Sequence, residues 1–235
     1  MLTLQEQFGQ IDIYLFDQLL KGRISPGMRV VDAGCGAGRN LVYFLRERFE
    51  VYAADSDPQA VEGVRSLARA LAPSLRASNF RVEAVEHMSF DDACADLVVS
   101  NAVLHFARDD AHFESMLQGS WRILKPGGIF FCRLGSLIGM ESQVKRIEGR
   151  RYWSPDGSER YLVDEAAARL GHGTARRRTG RPAENHGRPR STLHDHMGIA
   201  QETALMPTSP EKTRRIPAGQ GLISRVFGMW GTYFM

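Results

Sequence analysis

The chain has 235 residues, 43% of them hydrophobic, which is enough for the core of one large α/β domain and short for two. A formal net charge of +3 does not indicate nucleic-acid binding, and no stretch approaches the roughly 18 uncharged apolar residues of a membrane span. The first ten residues lack a signal-peptide pattern. The three cysteines, odd in number and without C-x-x-C spacing, predict reduced thiols in the cytoplasm.

The apolar residues predict helices alternating with short buried strands. Helical spacing begins at Ile11, Leu15 and Leu19, and the run from Met28 to Ala33 predicts the first strand. The later pattern predicts helices over 41–49, 58–71 and 109–124, strands over 51–54, 80–85, 96–100 and 129–134, and a turn at 125–128. This alternation predicts an α/β fold, with a doubly wound, mostly parallel sheet covered by helices on both faces.

The pattern weakens after the fifth predicted strand. A helix is expected over 140–150, then a loop over 153–158, and then a helix that Asp164 caps. From Gly171 onwards the chain is rich in Arg, Gly, Pro and His and shows no convincing pair of strands. We therefore expect a domain over 1–170 and an atypical tail over 171–235 that is disordered or derived from a frameshift.

A glycine-rich loop follows the first predicted strand, in the segment VVDAGCGAGRN at residues 30–40. Gly34, Gly36 and Gly38 permit unusual backbone angles and a close approach of a ligand to the main chain. Asp55 ends the second strand about twenty residues later, where a carboxylate can accept hydrogen bonds from both hydroxyls of a ribose. Ligands of open α/β sheets bind at the carboxyl ends of the strands, so we expect an adenosine-like nucleoside here.

The spacing of the glycines separates two classes of nucleotide ligand. Dinucleotide sites favour G-x-G-x-x-G, whereas this loop has G-x-G-x-G preceded by Asp32. The loop resembles motif I of the class I S-adenosylmethionine-dependent methyltransferases. The segments AADSDPQAV (53–61), FDDACADLVVSNAVLHF (90–106) and WRILKPGGIFF (121–131) resemble the next motifs of that family in the same order. The ending GAGRN is similar to small-molecule methyltransferases of the tellurite-resistance type and of types 11 and 25.

The resemblance implies a Rossmann-like fold with S-adenosylmethionine as the cofactor and no metal. The three loop glycines would line its methionine and ribose moieties, Asp55 would bind the ribose hydroxyls, and Ser56 would lie beside them. The turn after strand three departs from the family pattern, because Ala84 and Val85 leave a following acid or histidine as the polar group at the adenine edge. The residues implied to bind the cofactor are Asp32, Gly34, Gly36, Gly38, Asp55, Ser56, Glu86, His87 and Asn101.

Within that set, Asp32 is expected to orient the loop through backbone hydrogen bonds, and Asn101 to point toward the transferred methyl group. No catalytic residue is identified, because a sulfonium is already an activated methyl donor and a base helps only a protonated acceptor. His105 lies in an apolar run and is expected to be a packed helix residue, and Cys35 an unreactive residue of the loop. Tyr14 and Phe16 are candidates for either core packing or a lid.

The expected acceptor is a small molecule, because the predicted domain carries no appended recognition module. The acceptor atom and the oligomeric state stay open. One alternative is an NAD-dependent oxidoreductase, which the glycine spacing and the LKPGG segment disfavour. Another is a non-catalytic protein whose arginine-rich segment 175–190 contacts RNA or an acidic partner. That segment lacks interleaved aromatic residues for base stacking, so nucleic acid is the weaker choice.

The tail is also compatible with a shifted reading frame. The sheet of the resembled family closes with an antiparallel pair of strands. Shifted by one nucleotide, the codons of HDHMGIAQE (194–202) permit MTTWVLRK, and those of ENHG (184–187) permit KTTV, both strand-like. We hypothesise a single-nucleotide shift near Gly171 or His172, with translation continuing past the original stop. This predicts that the last two strands are missing and that strand five is an unpaired edge.

Overall fold

The computed structural model describes residues 2–164 and 195–201. The helices are α1 (Leu4–Phe8), α2 (Ile13–Leu20), α3 (Val42–Arg46), α4 (Pro58–Leu71) and α5 (Asp110–Arg122). The strands are β1 (Arg29–Ala33), β2 (Glu50–Asp55), β3 (Phe80–Val82), β4 (Ala95–Asn101), β5 (Leu124–Gly135), β6 (Lys145–Glu148), β7 (Arg151–Trp153), β8 (Glu159–Tyr161) and β9 (Asp195–Gln201). Short 3₁₀ turns span Ala77–Asn79, Val85–His87 and Leu104–Phe106.

The main sheet has the strand order β3-β2-β1-β4-β5-β9, and the first five strands in this order are parallel. The predicted α/β fold is therefore confirmed. Strand order reverses between β1 and β4, and this is the point of an open α/β sheet where ligands bind. Ala33 pairs with Ala54, so the loop after β1 begins beside Asp55 at the end of β2.

The sheet is buried on both faces, which is why its strands have continuous apolar sequences. Successive residues of β1 point to opposite sides, so Val31 packs in the same cluster as Phe113 of α5. Val30 packs in the other cluster, with Phe44 of α3 and Val64 of α4. Two apolar layers therefore hold the carboxyl ends of the strands in fixed positions.

The region after β5 differs from the prediction. The helix expected over 140–150 is wrong, because β6 pairs with β7 and β7 with β8 in a small antiparallel sheet. Gly149 has a φ of 54°, which turns the chain between β6 and β7. The predicted turn at 125–128 lies within the bounds of β5, where pairing with β4 is irregular between Leu124 and Ile129 and Gly127 has a φ of 78°. The helix expected after Asp164 falls outside the described residues.

The far edge of the sheet also differs from the prediction. β9 pairs antiparallel with β5, from Ile129 opposite Gln201 to Gly135 opposite Asp195. The expectation that strand five has an unpaired edge is therefore wrong. β9 lies within the segment 194–202, where the shifted reading frame permits a closing strand. The companion segment at 184–187 lies outside the described residues.

The sequence analysis also considered membrane spans and the state of the cysteines, and both can be examined in the described residues. None of the helices in this part of the chain is long and apolar enough to cross a membrane. Cys35, Cys94 and Cys132 are all free thiols.

Candidate cofactor site

A cavity of about 780 Å³ opens at the carboxyl ends of β1, β2 and β4. Its walls are the glycine loop, the end of β2, the turn Val85–His87 and the segment that follows β4. Gln10 closes it from the N-terminal side, and His112 and Met116 of α5 close it from another side. Small-molecule and cofactor sites have volumes of about 300–1,000 Å³, so the cavity can hold a ligand of nucleoside size or larger.

The structure brings most of the predicted cofactor residues together in this cavity. Its lining includes the predicted residues Gly34, Gly36, Asp55, Ser56, Glu86 and Asn101. Asp32, Gly38 and His87 are not part of the lining. Gly38 instead packs against α4, where an added Cβ would lie 3.0 Å from the Cγ2 atom of Val64.

The glycine loop is held by the end of β2. The amides of Gly34 and Cys35 donate to the carbonyl oxygen of Ala54, at 2.8 and 3.0 Å. The Gly36 amide donates to Oδ2 of Asp55 at 2.8 Å. Oδ1 of Asp55 accepts from the amide of Asp57 at 2.9 Å. Each carboxylate oxygen has accepted one hydrogen bond and retains a second lone pair for a ligand.

Two of the loop glycines are required for different reasons. Gly34 has a φ of 82°, and an added Cβ would lie 2.5 Å from Val103 Cγ2, so the chain after β4 touches the loop there. Gly36 has a φ of 50°, but a Cβ there would meet nothing within 4 Å. Gly36 is therefore required for its backbone angle and for its amide, which Asp55 holds.

Asp32 lies in β1, just before the loop, and is buried, with a fractional exposure of 1%. Its Oδ2 atom has no hydrogen-bond partner among the described residues. The expected role of Asp32 in orienting the loop through backbone hydrogen bonds is therefore not observed there, and Asp55 performs that role. Burial raises the pKa of Asp32 to about 7, with a further increase from the charge of Asp55 and an opposing effect of Arg39.

The raised pKa of Asp32 predicts a pH dependence of stability. The carboxyl has its ordinary pKa of 3.8 when the chain unfolds, so the folded state holds the proton more tightly. The resulting stabilisation is complete below pH 3.8 and is lost as the pH rises through about 7. We expect the free energy of unfolding to fall over this range by about 1.4 kcal/mol for each unit of pKa shift. The lowered pKa of His105 acts in the opposite direction over part of this range, so the decline is measured by urea denaturation from pH 4 to 8 as the difference between wild type and Asp32→Asn. An equal slope in both proteins would contradict the prediction.

The carboxyl end of β4 carries an unpartnered polar side chain. Asn101 is 7% exposed and lines the cavity, and neither Oδ1 nor Nδ2 has a hydrogen-bond partner in the described part of the chain. The next residue, Ala102, has a φ of 62°, and its amide donates to the carbonyl oxygen of Arg133 at 2.8 Å. A non-glycine residue in this conformation is strained, and such strain concentrates at functional sites. The amide of Asn101 is therefore available to a polar ligand.

The turn after β3 contributes Glu86, and α5 contributes a partner that the sequence analysis missed. His112 Nε2 lies 3.0 Å from Glu86 Oε1, and both residues line the cavity. His112 Nδ1 accepts a hydrogen bond from the Arg108 amide at 3.1 Å, so Nε2 carries the proton that Glu86 accepts. Contact between positions 26 residues apart leaves no signal in a single sequence.

The other residues considered in the sequence analysis are either buried in the fold or absent from the cavity lining. His105 is buried in the turn Leu104–Phe106 and does not line the cavity, and burial lowers its pKa to about 4, with smaller effects from Arg160 and Arg133. Cys35 lines the cavity, but burial raises the pKa of its thiol, which favours the unreactive form. Tyr14 and Phe16 are not part of the lining.

Comparison with known proteins finds a family model that matches the part of the chain that forms this site. The family model described as "Methyltransferase domain" matches residues 31–132. An uncharacterized methyltransferase of Bacillus subtilis (strain 168) is 32% identical over 128 residues, covering 54% of this chain and 49% of that protein. The tRNA 5-carboxymethoxyuridine methyltransferase of Escherichia coli (strain K12) is 28% identical over 113 residues, which cover 48% of this chain and 42% of that protein. The chain spans about half the length of the curated relatives that it matches.

A solved structure shows the same fold. The 1,6-didemethyltoxoflavin-N1-methyltransferase of Burkholderia thailandensis has a TM-score of 0.55 and 22% identity, covering 83% of this chain and 80% of that chain. Residues 31–132 therefore match a methyltransferase domain, and their parallel sheet and glycine loop are those expected of the class I S-adenosylmethionine-dependent type. The predicted resemblance of the sequence motifs to methyltransferases is confirmed. The comparisons therefore favour a methyltransferase over the alternative of an NAD-dependent oxidoreductase.

Proposed function

We propose that the chain binds S-adenosylmethionine in the cavity and transfers its methyl group to a small-molecule acceptor. The observation that supports this most directly is the junction between Gly36 and Asp55, where the loop amide and the carboxylate are 2.8 Å apart at the cavity wall. Asp55 has a free lone pair on each oxygen and can accept both hydroxyls of a ribose. Ser56 lies beside it in the lining.

At the adenine edge, the polar residue we propose is Glu86 rather than His87. Glu86 lines the cavity and is oriented by His112, whereas His87 does not line it. Because the Oε1 atom of Glu86 accepts from His112, its other oxygen is available to an exocyclic amine. Asn101 is the remaining polar group of the site, and its unpartnered amide fits a polar part of the cofactor. Asp32 and Gly38 lie outside the cavity lining.

S-adenosylmethionine supplies a methyl group on a sulfonium sulfur, and transfer to a nucleophile breaks the carbon–sulfur bond with its electron pair going to sulfur. The residues of this chain bind, orient and exclude water. Glu86 and His112 are bound to each other, and His105 lies outside the cavity. We therefore propose no general base among the described residues.

The test is a binding and transfer experiment with the full chain. Calorimetry should show binding of S-adenosylhomocysteine and none of NAD, and the labelled methyl of S-adenosylmethionine should appear in a small molecule from a metabolite extract. Since a tRNA methyltransferase is among the relatives, total tRNA is included as a competing acceptor. Label in tRNA alone would overturn the small-molecule acceptor. Cofactor binding without any transfer would favour the non-catalytic alternative.

We also propose that the catalytic domain covers 1–170 and that the native residues after it are encoded in a shifted frame. β9 lies where the closing strand is expected, yet its sequence DHMGIAQ contains Gly and Asp, which are depleted in strands. The shifted frame permits β-branched and aromatic residues at the same place. Sequencing the gene should reveal a shifted reading with TTW before residue 205. Restoring that frame should increase soluble yield and thermal stability, and a gene without it refutes the proposal.

A further inference from the structure

An exposed aromatic residue lies at the mouth of the cavity. Phe106 ends the turn that follows β4, lines the cavity and is 57% exposed. Its ring contacts the His105 ring edge-on, with the centroids 4.6 Å apart. A large apolar ring exposed in a cavity wall provides a surface on which a flat ligand can stack. The position is next to the segment that touches the glycine loop through Val103.

A guanidinium lies against this ring. Arg160 of β8 places its Cζ atom 4.8 Å from the centre of the Phe106 ring, which is a cation–π contact. Its Nη1 donates to the carbonyl oxygen of Glu159 at 2.8 Å. Within the described ranges, no carboxylate lies within ion-pair distance of Arg160, although the charge of Asp156 interacts with it from further away.

Two other arginines of this region are paired with carboxylates, whereas Arg146 of β6 donates to the Gly149 carbonyl oxygen. Arg150 pairs with Asp110 at 2.7 Å, and Arg151 pairs with Glu159. Arg39 lines the cavity on the side of the glycine loop, and Arg160 is the cation that lies against the Phe106 ring at the mouth. A guanidinium against an aromatic ring suits a flat ligand that carries an anionic group, and binding of a nucleic-acid backbone, which needs several cations in a row, is an outcome of the test below.

The acceptor also has to be nucleophilic without help from the protein. Glu86 and His112 are engaged with each other, and His112 Nδ1 already accepts from the Arg108 amide. Asp55 is assigned to the ribose. An acceptor that arrives as an anion needs no proton removed, and a nearby guanidinium stabilises that ionised form.

We propose that the acceptor is a small aromatic anion whose ring stacks on Phe106 and whose negative charge faces Arg160. This inference rests on the proposed function, because it assigns the substrate class of the same cavity. Phe106 and Arg160 are then the residues that determine acceptor specificity, and neither is part of the proposed cofactor site.

The experiment compares benzoate with benzamide, which have nearly the same shape and differ in charge. Binding of each at millimolar concentration is measured by ligand-observed NMR on the full chain saturated with S-adenosylhomocysteine. The variants are Arg160→Gln, which removes the charge, and Phe106→Leu, which removes the ring and stays apolar. The matched control is Arg151→Gln in the same small sheet, because Arg151 is paired with Glu159 whereas Arg160 lies against the Phe106 ring.

We expect benzoate to bind more tightly than benzamide, by about fivefold, and Arg160→Gln to abolish this preference. Phe106→Leu should weaken both ligands, and Arg151→Gln should change neither. Equal binding of the two ligands, no detectable binding of either, or an unchanged preference in Arg160→Gln would overturn the inference. A single-stranded RNA oligonucleotide that bound more tightly than benzoate, and was weakened by Arg146→Gln as well as Arg160→Gln, would also overturn it. Binding of S-adenosylhomocysteine is measured on every variant, so that a failure of the cofactor proposal is recognised separately.

Discussion

Replacing Asp55 by alanine should weaken binding of S-adenosylhomocysteine by roughly a hundredfold or more. Two hydrogen bonds to a charged group would be lost, each worth about 1.5–3 kcal/mol. The Gly36 amide would also lose its acceptor at 2.8 Å, so the loop would no longer be held against β2. Asp55→Asn retains one acceptor oxygen, and we expect a loss of about tenfold, intermediate between wild type and the alanine variant. Calorimetry on the folded variants measures both effects.

The matched control for Asp55 is Asp57, two residues later. Asp57 caps α4 by accepting from the Gln59 amide at 2.9 Å and does not line the cavity. Asp57→Ala should therefore cost about 1 kcal/mol of stability and leave cofactor affinity unchanged. If Asp55→Ala were folded and bound S-adenosylhomocysteine as tightly as wild type, the assignment of the ribose site would be wrong. If Asp57→Ala weakened binding of S-adenosylhomocysteine as much as Asp55→Ala does, the loss of affinity would be due to destabilisation of α4 rather than to a lost ribose contact.

Replacing Gly119 by alanine should destabilise the protein by about 1–3 kcal/mol and weaken cofactor binding, because α5 packs there against backbone. An added Cβ would lie 2.3 Å from the carbonyl oxygen of Val85 and 3.1 Å from the Cα of Glu86. Neither atom is the end of a flexible side chain, so the helix and the turn must move apart. That movement displaces His112 and Met116 together, since both belong to α5 and line the cavity.

Gly63 provides the matched control for this substitution. It also lies in a helix, α4, but an added Cβ would meet nothing within 4 Å. Gly63→Ala should stabilise the protein by about 0.5–1 kcal/mol, because alanine favours helix and restricts the unfolded chain. Guanidinium denaturation measures both variants, and calorimetry measures cofactor affinity. A Gly119→Ala protein as stable as Gly63→Ala would show that α5 does not press on the turn Val85–His87.

Local sequence determined the sheet and the loop of this protein. The alternation of apolar runs and glycines requires no knowledge of distant contacts, because strand and helix periods are properties of neighbouring residues. Asp55 could be placed near the loop since parallel strands end at the same edge, and Ala33 does pair with Ala54. The same local reasoning gave the wrong structure at 140–150, where pairing of β6 with β7 and β7 with β8 prevails over helical spacing.

Only the tertiary structure decided which polar groups meet. It placed Glu86 against His112, 26 positions away, and separated His87 from the cavity. It buried Asp32 with no hydrogen-bond partner for Oδ2 among the described residues, and it placed the Gly36 amide where it donates to Asp55. It brought Arg160 from β8 over Phe106, and it paired β9 with β5. The physical reason is that hydrogen bonds, ion pairs and burial depend on distances between segments far apart in the chain, and a single sequence contains no measure of those distances.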